Sequence, residues 1–234
     1  MKKLFIIILS FLLLYIINII NQKTFEENTL NVVYNIENNN TKRYVALTFD
    51  DGPSIKTIEL VNLLKKYKIK ATFFLLGERV NYYLDSVEYI KEMGHEIGNH
   101  SYTHPDFKNL TINEIQTEVE KTQEAIYKVT KTLPKLFRFP YGSYNEICLE
   151  YINLPIILWN VDSLDWKYLN QNIIIRNVID NLESENIILF HDYHLLKKEA
   201  LENVIKFLLD HDYEFVTVSE LFKEVKLENG RIYY

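Results

Sequence analysis

Tyr44-Val45-Ala46-Leu47-Thr48-Phe49-Asp50-Asp51-Gly52-Pro53 is the stretch on which the reading of this chain turns. Its apolar, aromatic and β-branched start predicts a buried strand over 44–49. The strand ends on two adjacent carboxylates, where an apolar setting has no place for charge. Two like charges side by side are costly to bury unless a cation shares the site or one of them is protonated. Downstream, His100 and His104 offer the nitrogen donors that such a cation needs.

From residue 44 onward, short apolar runs alternate with amphipathic stretches. Strands are predicted over 44–49, 71–76, 95–98, 136–139, 156–161, 186–190 and 215–218, and helices over 54–67, 84–93, 112–130, 145–152, 172–182 and 195–209. This alternation predicts an α/β fold with a parallel sheet and covering helices, and about seven repeats suggest closure into a barrel. Reactive groups in such barrels collect at the C-terminal ends of strands, where the polar clusters of this chain fall. Three of the six glycines, Gly52, Gly98 and Gly142, lie in or beside those clusters, which suggests tight turns near a site.

The chain of 234 residues is 47% hydrophobic with a net charge of −6, enough for one sizeable core. The acidic balance and the absence of a Lys/Arg patch argue against a nucleic-acid partner. A single cysteine, Cys148, permits no intrachain disulfide and excludes paired-thiolate metal sites. Met1-Lys2-Lys3 precedes an apolar run over 4–20 broken only by Ser10 and Asn18, and no small-residue cleavage site follows, the first alanine being Ala46. We therefore expect an uncleaved signal anchor over 1–22, a polar linker over 23–42, and a globular domain over 43–234 outside the membrane. A cleaved signal would instead give a secreted protein.

Five clusters carry chemistry. His100 and His104, spaced i and i+4, form with Asp51 a two-histidine, one-carboxylate set that leaves coordination positions open. The set suits zinc and equally Fe(II). Taken alone, the histidines read as a solvated pair. Asp50, beside the proposed ligand, is placed as general base for the hydrolytic water, while the plainer reading of 50–54 is a turn with a helix cap at Ser54. Arg138, among Phe137, Phe139 and Tyr141, needs a carboxylate partner, for which Asp50 is the candidate; by itself it also reads as a surface arginine stacked on Tyr141. Asp165 is placed to orient a histidine and Trp166 to wall a sugar pocket, against an N-cap role for Asp162 or Ser163. His191, closing an apolar strand, reads first as a core histidine, but paired with Asp165 it can protonate a leaving amine. His95, His194 and His211 receive no role.

These five clusters, in this order, resemble the motifs of the polysaccharide deacetylases of the NodB-homology type (carbohydrate esterase family 4). Ala71-Thr72-Phe73-Phe74 with Gly77, and 94–99, resemble the family too. The resemblance implies a distorted (β/α)7 barrel, with Asp50 as base, Asp51, His100 and His104 as ligands of a divalent metal (zinc, or cobalt or another divalent ion), Arg138 supporting Asp50, and His191 as acid oriented by Asp165. It further implies that Tyr141 offers its backbone N–H to the oxyanion and that Trp166 and Leu189 line the acetyl pocket. Phe139 stands where the family often has proline. The expected activity is removal of N-acetyl groups from a β-linked N-acetylhexosamine polymer by a monomeric, membrane-anchored enzyme acting on peptidoglycan N-acetylglucosamine. Chitooligosaccharides, poly-N-acetylglucosamine and O-acetylated xylan are the alternative substrates, and a non-catalytic glycan-binding envelope protein is the alternative class.

Overall fold

A computed structural model of the chain describes residues 42–192 and 198–234. The predicted anchor over 1–22, the predicted linker up to residue 41, residues 195–197 of the last predicted helix and His194 lie outside the described residues. No helix among the described residues is long and apolar enough to cross a membrane.

The opening stretch forms β1 (Arg43–Gly52), buried on both faces as a strand sandwiched in a parallel sheet should be. Because successive side chains alternate, Val45, Leu47 and Phe49 join the larger apolar core beneath the helices, whereas Ala46 faces a smaller inner core. Thr48 and Asp50 share the parity of Ala46. One edge of β1 pairs along its length with β6 (Glu185–His191). The other edge is divided, its start pairing with β7 (Tyr213–Phe215) and its end with β2 (Thr72–Leu75). Beyond β2 lies β3 (Glu96–Asn99), beyond β6 lies β5 (Val161–Asp162), and β4 (Ile156–Ile157) pairs with β8 (Ile232–Tyr233). All of these pairings are parallel, which confirms the α/β fold with a parallel sheet.

Two predicted strands are shorter than expected, for one physical reason. Instead of a strand over 136–139, Phe137 makes single parallel bridges to Asn99 and Ile156. The next carbonyl, Arg138 O, is taken by the His100 ring, and Pro140 follows without an N–H. The strand expected over 156–161 is split because Ile157 O and Leu158 O accept from the Arg138 guanidinium, while the Asn160 side chain accepts from Ile187 N and donates to Glu185 O in place of backbone. With those bridges, the pairings run from β6 through β1, β2, β3 and Phe137 to the segment 156–162 and back to β6.

The helices are α1 (Thr57–Tyr67), α2 (Gly77–Val80), α3 (Leu84–Glu92), α4 (Ile112–Thr130), α5 (Glu146–Tyr151), α6 (Gln171–Ile179), α7 (Lys198–Asp210) and α8 (Val218–Leu221). Helix α4 matches its predicted span because Thr111 and Glu114 make a reciprocal capping box at its start. The strand predicted over 215–218 is overturned at its end by the same device. Thr217 caps α8 through Glu220, so Val218 begins a helix.

Candidate active site

The C-terminal ends of β1, β3, β5 and β6 and the residues after Phe137 meet around a cavity of about 520 Å³. Asp50, Asp51, His100, His104, Tyr141, Trp166, Leu189 and His191 all line it, and so do Trp159 and Asp162, which sequence reasoning did not assign. Arg138 and Asp165 are buried against its wall.

How two neighbouring carboxylates reach one cavity is a backbone question. In a regular strand Asp50 and Asp51 would point to opposite faces. Here Asp51 takes φ 64, in the left-handed region that disfavours a residue with a side chain, and the β1–β2 register slips between Phe49 and Gly52. The turn swings Asp51 to the side of Asp50. Ser101, His104, Tyr141 and Leu164 are also left-handed, so the loops around the cavity hold several such residues, each costing about 1–3 kcal/mol and sustained only by the surrounding contacts.

Gly52 serves a different purpose from the tight turn expected of it. A Cβ there would lie 2.6 Å from Asp192 Oδ2, so glycine is needed for room, while Asp51 makes the turn.

Asp51 Oδ1 lies 3.1 Å from His104 Nε2 and 3.4 Å from His100 Nε2, yet it is buried without a hydrogen-bond partner. The contacts are close enough for ion pairing and are not aligned as hydrogen bonds. His100 Nδ1 lies 2.9 Å from Arg138 O. A carbonyl only accepts, so Nδ1 carries the hydrogen and donates, which makes Nε2 the nitrogen free to bind a cation. Burial opposes a charged His100, but Asp50 and Asp51 beside it raise its pKa above 6.5. Burial likewise opposes an ionised Asp51, and the two imidazoles nevertheless hold its pKa far below the usual carboxylate value. An orphaned carboxylate oxygen facing two imidazole nitrogens, with all three donor atoms within 4.8 Å of one another, fits a divalent metal ion.

Behind the cluster, Arg138 is fully buried with every nitrogen engaged. Its Nη1 donates to Asp50 Oδ1 at 2.8 Å and to Thr48 Oγ1 at 2.7 Å, Nε to Ile157 O at 3.0 Å, and Nη2 to Leu158 O at 2.9 Å. The guanidinium also lies 4.1 Å from the Phe74 ring centre, so the surface-arginine reading does not hold. Across the cavity, Asp165 Oδ1 is 2.7 Å from His191 Nδ1 and Asp165 Oδ2 accepts from His191 N at 3.0 Å. Burial lowers the pKa of His191, and the Asp165 carboxylate, helped by Asp50 and Asp51, more than offsets this and raises it above 6.5. Trp166 (51% exposed) and Tyr141 (69% exposed) stand at the rim, the Tyr141 ring 4.4 Å from that of His104.

Of the histidines given no role, His95 is buried with Ala71 N donating to its Nδ1, and His211 stacks on Phe207. Asp192 was overlooked. It follows His191 at the end of an apolar strand, the same signal that drew attention to Asp50.

Residues 37–154 match the sequence profile of the family described as polysaccharide deacetylase. The chain is 40% identical over 195 residues to the peptidoglycan-N-acetylglucosamine deacetylase PgdA of Listeria monocytogenes, an alignment covering 83% of this chain and 42% of that protein. It thus spans about two fifths of that relative's length. Among solved structures it resembles the T48 deacetylase with substrate (TM-score 0.80, 36% identity, 83% of this chain and 98% of that one). It also resembles a family 4 acetyl xylan esterase from Clostridium thermocellum in complex with a cobalt ion (TM-score 0.77, 33% identity, 82% and 98%).

Proposed function

This chain belongs to the polysaccharide deacetylase family, and from that premise we propose that it removes N-acetyl groups from a β-linked N-acetylhexosamine glycan, with peptidoglycan N-acetylglucosamine as substrate. The observation that carries the proposal is the bare Nε2 of His100 facing the partnerless Oδ1 of Asp51, with the Asp50 carboxylate 3.6 Å from the same nitrogen. The peptidoglycan assignment rests on the activity named for the Listeria relative.

A divalent ion held by Asp51, His100 and His104, with zinc the first candidate and cobalt another, would supply Lewis-acid activation of the water and the acetyl carbonyl. Asp50, anchored by Arg138, accepts the proton of the attacking water as the new C–O bond forms. The Tyr141 backbone N–H steadies the oxyanion, and Trp166 and Leu189 enclose the acetyl group. His191, oriented by Asp165 and kept charged by it, gives its proton to the amine nitrogen as the C–N bond breaks and acetate leaves. We read the ring of strands as a distorted (β/α)7 barrel over 43–234. The apolar run within 1–22 supports a single-pass anchor, with 23–42 as a linker and the barrel, as a monomer, on the outer side.

The test is acetate release from glycol chitin and from N-acetylated peptidoglycan by the full-length protein. Activity should vanish with a chelator and return with zinc. No acetate from any N-acetylated glycan by zinc-loaded protein would defeat the proposal, and release from acetylated xylan alone would transfer it to an O-acetyl substrate.

A further inference from the structure

The turn that turns Asp51 into the cavity is held by contacts that none of the roles above uses. Asp192, buried directly after His191 at the end of β6, is not among the residues that line the cavity. Its carboxylate accepts from Ser54 Oγ at 2.5 Å and from Thr57 Oγ1 at 2.7 Å through Oδ2 and 2.9 Å through Oδ1. Ser54 directly follows Asp51-Gly52-Pro53, and Thr57 is the first residue of α1. Asp192 N also donates to Asp50 O at 3.0 Å, and Oδ2 lies against Gly52, where no Cβ fits. From the other side, Arg79 Nη1 donates to Asp51 O at 3.0 Å, and Leu76 N donates to Gly52 O at 2.8 Å. The carbonyls of residues 50, 51 and 52 are therefore each held from outside β1.

We propose that Asp192 is a positioning residue for the metal ligand Asp51, its carboxylate tying Ser54 and Thr57 to β6 and so holding the left-handed turn that aims Asp51 at His100 and His104. The inference rests on the metal-site reading above and extends it. A left-handed aspartate at a register slip is a conformation the strand would otherwise relax. If the hydroxyl ties are lost, Asp51 can return toward regular strand geometry, where parity points its carboxylate away from the two imidazoles. The same residue joins the metal half of the site to the acid half, because it is bonded in sequence to His191.

Full-length protein in detergent, titrated with Co2+ and followed by its visible d–d absorption, tests this directly. Asp192→Asn reverses one hydrogen-bond polarity, and Thr57→Val keeps the shape of that side chain while deleting its hydroxyl. Both should weaken cobalt binding roughly tenfold or more, the scale seen when outer partners of metal ligands are lost. Both should also alter the d–d spectrum and lower kcat while leaving KM for a chitooligosaccharide near wild type. Two variants guard against a folding failure, since Thr57→Val leaves the buried acid in place. Wild-type cobalt affinity and spectrum in both variants, with only a lower melting temperature, would show Asp192 to be structural alone and overturn the proposal. Cobalt uptake failing in the unmodified protein would instead sink the metal-site reading, and this inference with it.

Discussion

Arg138→Met puts the buried half of the site to a quantitative test. The substitution keeps an unbranched apolar side chain against Phe74 and deletes every donor of the guanidinium. Asp50 loses its hydrogen-bonded cationic partner and keeps only the His100 imidazole, 3.6 Å away, a change that costs about 3–5 kcal/mol. Ile157 O, buried, loses its donor at about 1–3 kcal/mol, and the part-buried Leu158 O loses its donor at the lower end of that range. Together these reach on the order of 5–10 kcal/mol, comparable with the whole stability of a typical domain. Arg138→Met should therefore be largely unfolded, or melt at least about 10 °C lower, given roughly 2–4 °C per kcal/mol at this size. Adding Asp50→Asn in the same chain removes the stranded charge and should recover about 3 kcal/mol, with neither variant expected to release acetate. Urea denaturation followed by far-UV circular dichroism gives both numbers. An Arg138→Met variant within about 1 kcal/mol of wild type, or a double variant no more stable than the single one, would refute the account of Arg138 as a buried counter-charge.

Asp165→Asn removes the largest influence that raises the His191 pKa, so the alkaline limb of the kcat/KM profile should move to lower pH, with a loss of about 10²-fold or more at neutral pH; an unmoved limb in pH-dependent kinetics contradicts the pairing. Burial, with a smaller contribution from Lys70, lowers the pKa of His95 to about 4, below its unfolded value. Its contribution is thus present above pH 6.5 and lost as pH falls from there to about 4, roughly 3 kcal/mol in all. His95→Gln should flatten that acid loss, read from urea midpoints at pH 7 and pH 4.5. Zinc at about 100 times its Kd should stabilise the protein by about 2.7 kcal/mol over the chelated form, and equal melting curves would speak against a site in the folded state. Trp166→Ala, at a half-exposed position, should raise KM severalfold with stability within about 0.5 kcal/mol of wild type.

The repeat of strand and helix was legible because β1, β2 and β6 are apolar on both faces and α4 carries its own capping box. The place of the candidate site was legible because charge at the end of an apolar strand is conspicuous. What escaped depends on side chains replacing backbone. Arg138 and Asn160 divert the hydrogen bonds that would have completed the strands over 136–139 and 156–161, and no periodicity shows this. The helix after Thr217 was available in Thr217-Val218-Ser219-Glu220, a capping-box pattern masked by its apolar neighbours. Asp192 escaped because its partners, Ser54 and Thr57, lie far away in sequence and only the parallel pairing of β1 with β6 brings them near.

The divided edge of β1 has a consequence for biogenesis. Its start is completed by residues 213–215 and its far side by residues 185–191, both late in the chain. A polypeptide emerging N-terminus first can therefore pair only the end of this hydrophobic ribbon early, with β2, and must leave its start and its whole β6-facing edge open until almost all of the domain has been synthesised. Open ladders of that kind invite intermolecular association. Maturation should thus depend on a holding factor or on rapid late closure, and truncation anywhere before residue 215 should yield aggregate and no smaller folded unit.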